Sequence, residues 1–123
     1  MSGGGDARLL GRWGEALVAE DLRRKGWSVV AANFRCRMGE LDLVAEKGRY
    51  LAFVEVKLRK SDRFGAAREA VTAAKQRRLR AAAELYLLEH PTRLQPRFDV
   101  AEVYAPQGVR TEKPDICYIE NAF

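Results

Sequence analysis

Histidine and cysteine are almost missing from this sequence of 123 residues, which has one His and two Cys. Cys36 and Cys117 stand far apart, with no CxxC and no Cys/His cluster. That excludes a structural zinc site and a dithiol redox motif, and two free thiols are expected. His90 precedes Pro91 where a helix should end, a place for a cation against the helix C-terminus. Its isolation argues against Ser-His-Asp and Cys-His catalysis. Long apolar runs are missing too, since nothing approaches the ~18 residues of a membrane span. The first six residues are rich in Ser and Gly and lack the basic-then-apolar order of a signal peptide. A cytoplasmic location and no membrane partner are therefore expected.

What is present suits one globular domain: 47% hydrophobic and 32% charged residues, with apolar positions recurring along the chain. Residues 1–6 read as a flexible tail and residues 7–123 as a single domain. Asp6 can cap a helix running to Lys25, with Gly26 at its C′ position. Strands are expected over Trp27–Phe34, Glu40–Glu46 and Tyr50–Arg59. Cys36–Gly39 forms a turn between the first two, and Lys47-Gly48-Arg49 a hairpin between the second and third. A polar loop over Lys60–Gly65 leads to a long helix from Arg68 to Glu89, closed by His90 and Pro91. Two further strands are expected over Pro96–Tyr104 and Asp115–Glu120. The order α-β-β-β-α-β-β predicts an α/β fold, a mixed sheet flanked by helices, with a crossover helix between the third and fourth strands.

The net charge is +5, and its distribution carries more information than its size. Lys57 to Arg80 holds nine basic residues against two acidic ones, while the rest of the chain is net acidic. A local basic run suits contact with backbone phosphates; a solvated helix face is the other reading.

The third strand reads Phe53-Val54-Glu55-Val56-Lys57-Leu58-Arg59. Period two sets Ala52, Val54, Val56 and Leu58 on one face and Glu55, Lys57 and Arg59 on the other. In the second strand Leu41 and Leu43 share a face, with Asp42 opposite. Hairpin symmetry about Gly48 brings Asp42 within one step of Glu55, so two carboxylates and an ammonium converge. Two carboxylates can hold a Mg²⁺ ion for phosphate chemistry, and a lysine can offset charge on the phosphoryl group. The same spacing also serves a cross-strand salt-bridge ladder, worth from a few tenths to ~1 kcal/mol.

The first helix has two competing faces. Gly11, Glu15, Val18 and Leu22 fall within one arc, and turning that arc inward gives Glu15 a need for a cation or a water. Leu9, Leu10, Trp13 and Leu17 form the other, which would leave Glu15 in solvent. In the second helix Val71, Ala74, Leu79, Ala82, Leu85 and Tyr86 form an apolar stripe with Lys75 and Arg78 inside it. That predicts a polar cleft along its early turns.

Gly11-x-x-Gly14-Glu15, Gly39-Glu40-Leu41-Asp42-Leu43, Phe53-Val54-Glu55-Val56-Lys57-x-Arg59, Phe64-Gly65, Lys75-Gln76 and Arg97-Phe98-Asp99-Val100 occur in this order. This set, over roughly residues 8 to 104, resembles the bacterial YraN-like family of predicted endonucleases. That family is similar to archaeal Holliday junction resolvases within the PD-(D/E)xK nuclease superfamily. The resemblance implies a restriction-endonuclease-like core. It matches the motif acids to Asp42 and Glu55, the motif lysine to Lys57, the first-helix acid to Glu15 and an assisting glutamine to Gln76. Leu41 stands where the motif has proline.

The expectation is an endonuclease dependent on Mg²⁺ or Mn²⁺ and acting on branched or structured DNA. Asp42, Glu55, the Val56 carbonyl and Glu15 would serve the metal, Glu15 through a bound water or a second ion. Lys57 would act on the nucleophile or transition state. Arg59, Lys60, Arg63, Arg68, Lys75, Arg77 and Arg80 would contact phosphates. The superfamily resolvases also imply a homodimer. The rival expectation is a nucleic-acid-binding or adaptor module that keeps this fold without turnover.

Overall fold

A computed structural model describes residues 3–60 and 71–123, with the side chains of residues 3–7 excepted. The chain orders as helix α1 (Gly3–Arg24), strands β1 (Ser28–Cys36), β2 (Gly39–Lys47) and β3 (Tyr50–Arg59), helix α2 (Ala73–Glu89), and strands β4 (Gln95–Tyr104) and β5 (Asp115–Ile119). A 3-10 turn at Gly108–Arg110 lies between the last two strands. The strands form one sheet in sequence order. All neighbours are antiparallel except β3 and β4, which run parallel and are joined through α2. This is the mixed α/β sheet with flanking helices that the sequence predicts. No helix among the described residues is long and apolar enough to cross a membrane.

The helix ends follow local chemistry. The α1 helix starts at Gly3, ahead of the expected cap at Asp6. It ends where Gly26 takes φ +93° and Trp27 N–H reaches back to Leu22 O at 2.9 Å. Thr72 is the N-cap of α2, its Oγ1 accepting from Lys75 N at 3.2 Å. The helix therefore begins at Ala73 and not at Arg68, which lies outside the described residues. His90 is the C-cap: its backbone N–H donates to Tyr86 O, and its ring stacks on Tyr86 at 4.3 Å.

Each face of the sheet buries one helix. Val18, Ala19 and Leu22 of α1 pack on Leu43, Ala45, Ala52, Val54, Ala101 and Val103. Leu79, Ala82, Ala83 and Tyr86 of α2 pack on Leu41, Val44, Leu51, Phe53 and Val100. The arc of α1 that carries Glu15 is thus buried at Val18 and Leu22, while of the other arc Trp13 and Leu17 pack partly against the same cluster and Leu9 is exposed. At Gly14 a Cβ would come within 3.1–3.2 Å of Leu58 side-chain carbons, so the absence of a side chain lets α1 cross β3 closely, and a larger residue would have to displace Leu58. Among the described residues no buried side-chain nitrogen or oxygen lacks a partner.

One expectation of strand alternation fails. Leu41 packs under α2 while Leu43 packs under α1. The period-two rule breaks between them, at Asp42. It breaks in the neighbouring strand at the same row, where Ala31 and Phe34 both pack toward α2. Between those two, Asn33 adopts φ +54°, a left-handed backbone inside a strand. Ala32 pairs with Leu43 and Phe34 with Leu41, so Asn33 stands opposite Asp42. The irregular row runs across both strands.

Candidate active site

The site grows from that row. Regular pairing of β2 with β3 ends at Leu43 and Val54. One step further, Asp42 faces β3 and its Oδ2 accepts from Val56 N–H at 2.8 Å. The carboxylate thus takes the place of a backbone acceptor as the strands separate. An extended residue presents its N–H and C=O to the same neighbour, so the Val56 carbonyl borders the same space.

Glu55 lies beside Asp42 and is 6% exposed. Its Oε2 is 3.0 Å from Lys75 Nζ and 3.5 Å from Lys57 Nζ. Burial and the Glu55 charge push the Asp42 carboxyl up to about 8, with Glu15 adding to the rise and the Val56 N–H opposing it. Asp42 is thus the acid that burial and its neighbours drive toward the protonated form, within hydrogen-bond reach of Glu55. Glu55 has two ammonium groups, both at its Oε2. The expected convergence of Asp42, Glu55 and Lys57 is what the geometry has.

Glu15 approaches from α1. Its Oε1 accepts from Asn33 Nδ2 at 2.7 Å, and the same nitrogen donates to Glu40 Oε1 at 3.2 Å. Glu40 in turn lies 3.6 Å from Arg35 Nε. Among the described residues no three His, Cys, Asp or Glu side chains form a group able to hold a metal ion. The central pair is Asp42 and Glu55, with Glu15 set outside it.

Several expected residues take different places. Lys75, expected on phosphate, reaches inward to Glu55. Gln76 donates from Nε2 to Val71 O at 3.1 Å and secures the start of α2. Arg59 is committed to buried Glu102, with Nε 2.8 Å from Oε2, and Tyr104 OH donates to the same carboxylate. The Arg80 guanidinium lies over the Phe98 and Phe123 rings at 5.2 and 5.6 Å. Lys60 and Arg77 are exposed, as phosphate contacts would be. Arg63, Arg68 and the Phe64-Gly65 pair lie outside the described residues. Of the Arg97-Phe98-Asp99-Val100 run, Asp99 accepts from Asn121 N–H at 2.9 Å and pairs with Arg97, a structural role.

Sequence reasoning missed Asn33, whose only signal is an Asn among the apolar residues 29–34 of β1. It also passed over Arg35 and Arg37, which are exposed, as is Arg78 of the basic run. A Cβ on Gly39 would sit 3.5 Å from Arg78 atoms, so the β1–β2 turn abuts α2.

Comparison with known proteins places these residues in a common frame. Residues 14–103 match the family described as "Uncharacterised protein family UPF0102". A UPF0102 protein of Caldicellulosiruptor saccharolyticus is 43% identical over 117 residues, covering 94% of this chain and 98% of that protein. One from Syntrophomonas wolfei subsp. wolfei is 48% identical over 118 residues, again covering 94% and 98%. A third, from Syntrophotalea carbinolica, is 53% identical over 95 residues, 76% of this chain and 77% of its own. The matched segment contains Glu15, Asn33, Asp42, Glu55, Lys57 and Lys75, and on this coverage the chain belongs to the UPF0102 family, the YraN-like group that its motifs resemble.

Proposed function

We propose that this protein is a metal-dependent endonuclease that hydrolyses phosphodiester bonds in branched or structured DNA. The observation that carries the reading is the Asp42–Glu55 pair, two adjacent acids where β2 and β3 separate, with the ammonium groups of Lys57 and Lys75 at Glu55 Oε2. The donor set fits a divalent cation: a hard ion can replace the Asp42 proton and relieve the repulsion that raises the Asp42 pKa. Asp42, Glu55 and the Val56 carbonyl would hold Mg²⁺ or Mn²⁺, with Glu15 acting from outside. An ion held there supplies Lewis-acid polarisation of the phosphoryl group. Lys57, 25% exposed, offers donors and positive charge to oxygens that gain charge as the P–O bond breaks. Lys75, 3.0 Å from Glu55 Oε2, holds that carboxylate in place. Arg35, Arg37, Lys60, Arg77 and Arg78 supply the phosphate contacts that hold a duplex over the site.

One observation favours the rival adaptor reading: Glu55 already has two cationic partners. The deciding experiment incubates the pure protein with Mg²⁺ or Mn²⁺ and a panel of linear, nicked and four-way-junction DNA, with RNA alongside. Metal-dependent strand cleavage, strongest on the junction, is expected. Tight junction binding with no cleavage of any substrate would replace the enzyme with the adaptor.

The basic surface has its own test. Arg77→Ala with Arg78→Ala should flatten the dependence of log affinity on log salt by roughly 0.9 for each phosphate no longer neutralised. Arg80→Ala should leave that slope alone and lower the melting temperature, because it removes stacking on Phe98 and Phe123. An unchanged slope in the Arg77/Arg78 double variant would mean this face is merely solvated.

A further inference from the structure

Asn33 combines two features that rarely meet. Its backbone is left-handed inside a strand, and one side-chain nitrogen serves two carboxylates from different elements. Asn tolerates φ +54° better than most residues, and glycine tolerates it better still. A backbone requirement alone would therefore be met best by glycine. The side chain explains the choice of Asn. An amide NH₂ carries two donors, and here one goes to Glu15 of α1 and one to Glu40 of β2. No other neutral side chain of that length supplies both while accepting the turned backbone. The turn at Asn33 also accompanies the break in alternation opposite Asp42.

We propose that Asn33 is the positioning residue of the site: it holds the Glu15 carboxylate beside the Asp42–Glu55 pair and separates it from Glu40. The proposal rests on the reading of Asp42 and Glu55 as the ion-holding pair. Without the amide, Glu15 and Glu40 have no common donor at that point. Glu15 is then free to swing into solvent and away from Asp42, and the site loses its third acid. Residues that orient a metal's surroundings in this way typically change affinity by ~10- to 100-fold when removed.

The test compares four proteins: wild type, Asn33→Gly, Glu15→Gln and the double variant. Mn²⁺ affinity is measured by titration calorimetry without DNA, junction affinity in EDTA, and cleavage in single turnover. Asn33→Gly keeps the left-handed turn, so its melting temperature should not fall. Its Mn²⁺ affinity should drop by ~10-fold or more, and the single-turnover rate should fall. Junction affinity in EDTA should stay within ~2-fold, because Asn33 is not among the groups that hold phosphate. The double variant should bind Mn²⁺ no worse than the weaker single variant, the non-additivity of residues acting as a unit. Should the glycine variant fail to fold, Asn33→Asp reads the same point, placing a third acceptor between two carboxylates. It should lose at least as much affinity as expected for glycine. Wild-type Mn²⁺ affinity and rate in either variant, or effects of Asn33→Gly and Glu15→Gln that simply add, would overturn the role of Asn33 alone. A wild type that binds no Mn²⁺ would instead overturn the underlying site reading, and this proposal with it.

Discussion

Asp42→Asn is expected to cut metal-dependent cleavage by roughly 10³-fold or more, because it removes one of the two carboxylates that would hold the ion. Asn is a close replacement. Its oxygen can still accept from Val56 N–H, and its NH₂ can donate to Glu55 as the protonated acid does. Any loss therefore reports chemistry and not collapse of the site. Glu55→Gln should cost a similar factor in cleavage. It should also lower stability, since Lys57 and Lys75 would lose their shared counter-charge. Lys57→Ala should spare Mn²⁺ affinity and lower kcat by ~10²- to 10³-fold, because its charge matters most as the transition state forms. Junction binding in EDTA should survive all three. The measurements are single-turnover cleavage, calorimetric Mn²⁺ titration and a melting curve for each variant. Wild-type cleavage by Asp42→Asn would sink the assignment of the site.

The same substitution should stabilise the metal-free protein at alkaline pH. Burial and the neighbouring Glu55 charge raise the Asp42 carboxyl from an ordinary value of 3.8 to about 8. The folded state then holds a proton that the unfolded chain releases near pH 4. Wherever the folded state binds more protons, stability falls as pH rises. The contribution is complete below pH ~4 and is lost progressively up to pH ~8. Melting temperatures of the wild type without metal should fall from pH 5 to pH 8.5. Asp42→Asn cannot ionise and should lack that component, standing above the wild type by ~5 °C or more at pH 8.5 and within ~2 °C at pH 5. Added Mg²⁺ or Mn²⁺ should restore the wild type at pH 8.5, as any ligand of the folded state does, and leave the Asn variant little changed. Parallel melting profiles for the two proteins would show that Asp42 titrates normally.

Much of this is legible in the sequence because it is local. The hairpin about Gly48 sets the register of β2 and β3, so the meeting of Asp42 and Glu55 follows from counting along two strands. The alternation of β3 and the buried arc of α1 are equally short-range patterns. The misses share a different cause. Lys75, Arg59 and Arg80 read as phosphate contacts because their partners, Glu55, Glu102 and Phe98, come from other elements. A long flexible cation shows no sign in sequence of which way it turns. Leu41 is misplaced because alternation assumes an unbroken strand, and a single left-handed residue in the adjacent strand accompanies its failure. That residue, Asn33, is polar and mid-strand, and without the Glu15 and Glu40 contacts it reads as ordinary surface.

The parallel pairing of β3 with β4 has a kinetic consequence. The β1–β2–β3 meander closes through short turns, whereas Tyr50 must find Gln95 and Arg59 must find Tyr104 across the whole α2 connection. Closing short loops is fast and closing long ones slow, so the meander can form while β4 is still searching. The two acids come together within that meander, but Lys75 reaches Glu55 only once α2 docks. During refolding the acid pair thus exists before one of its cations.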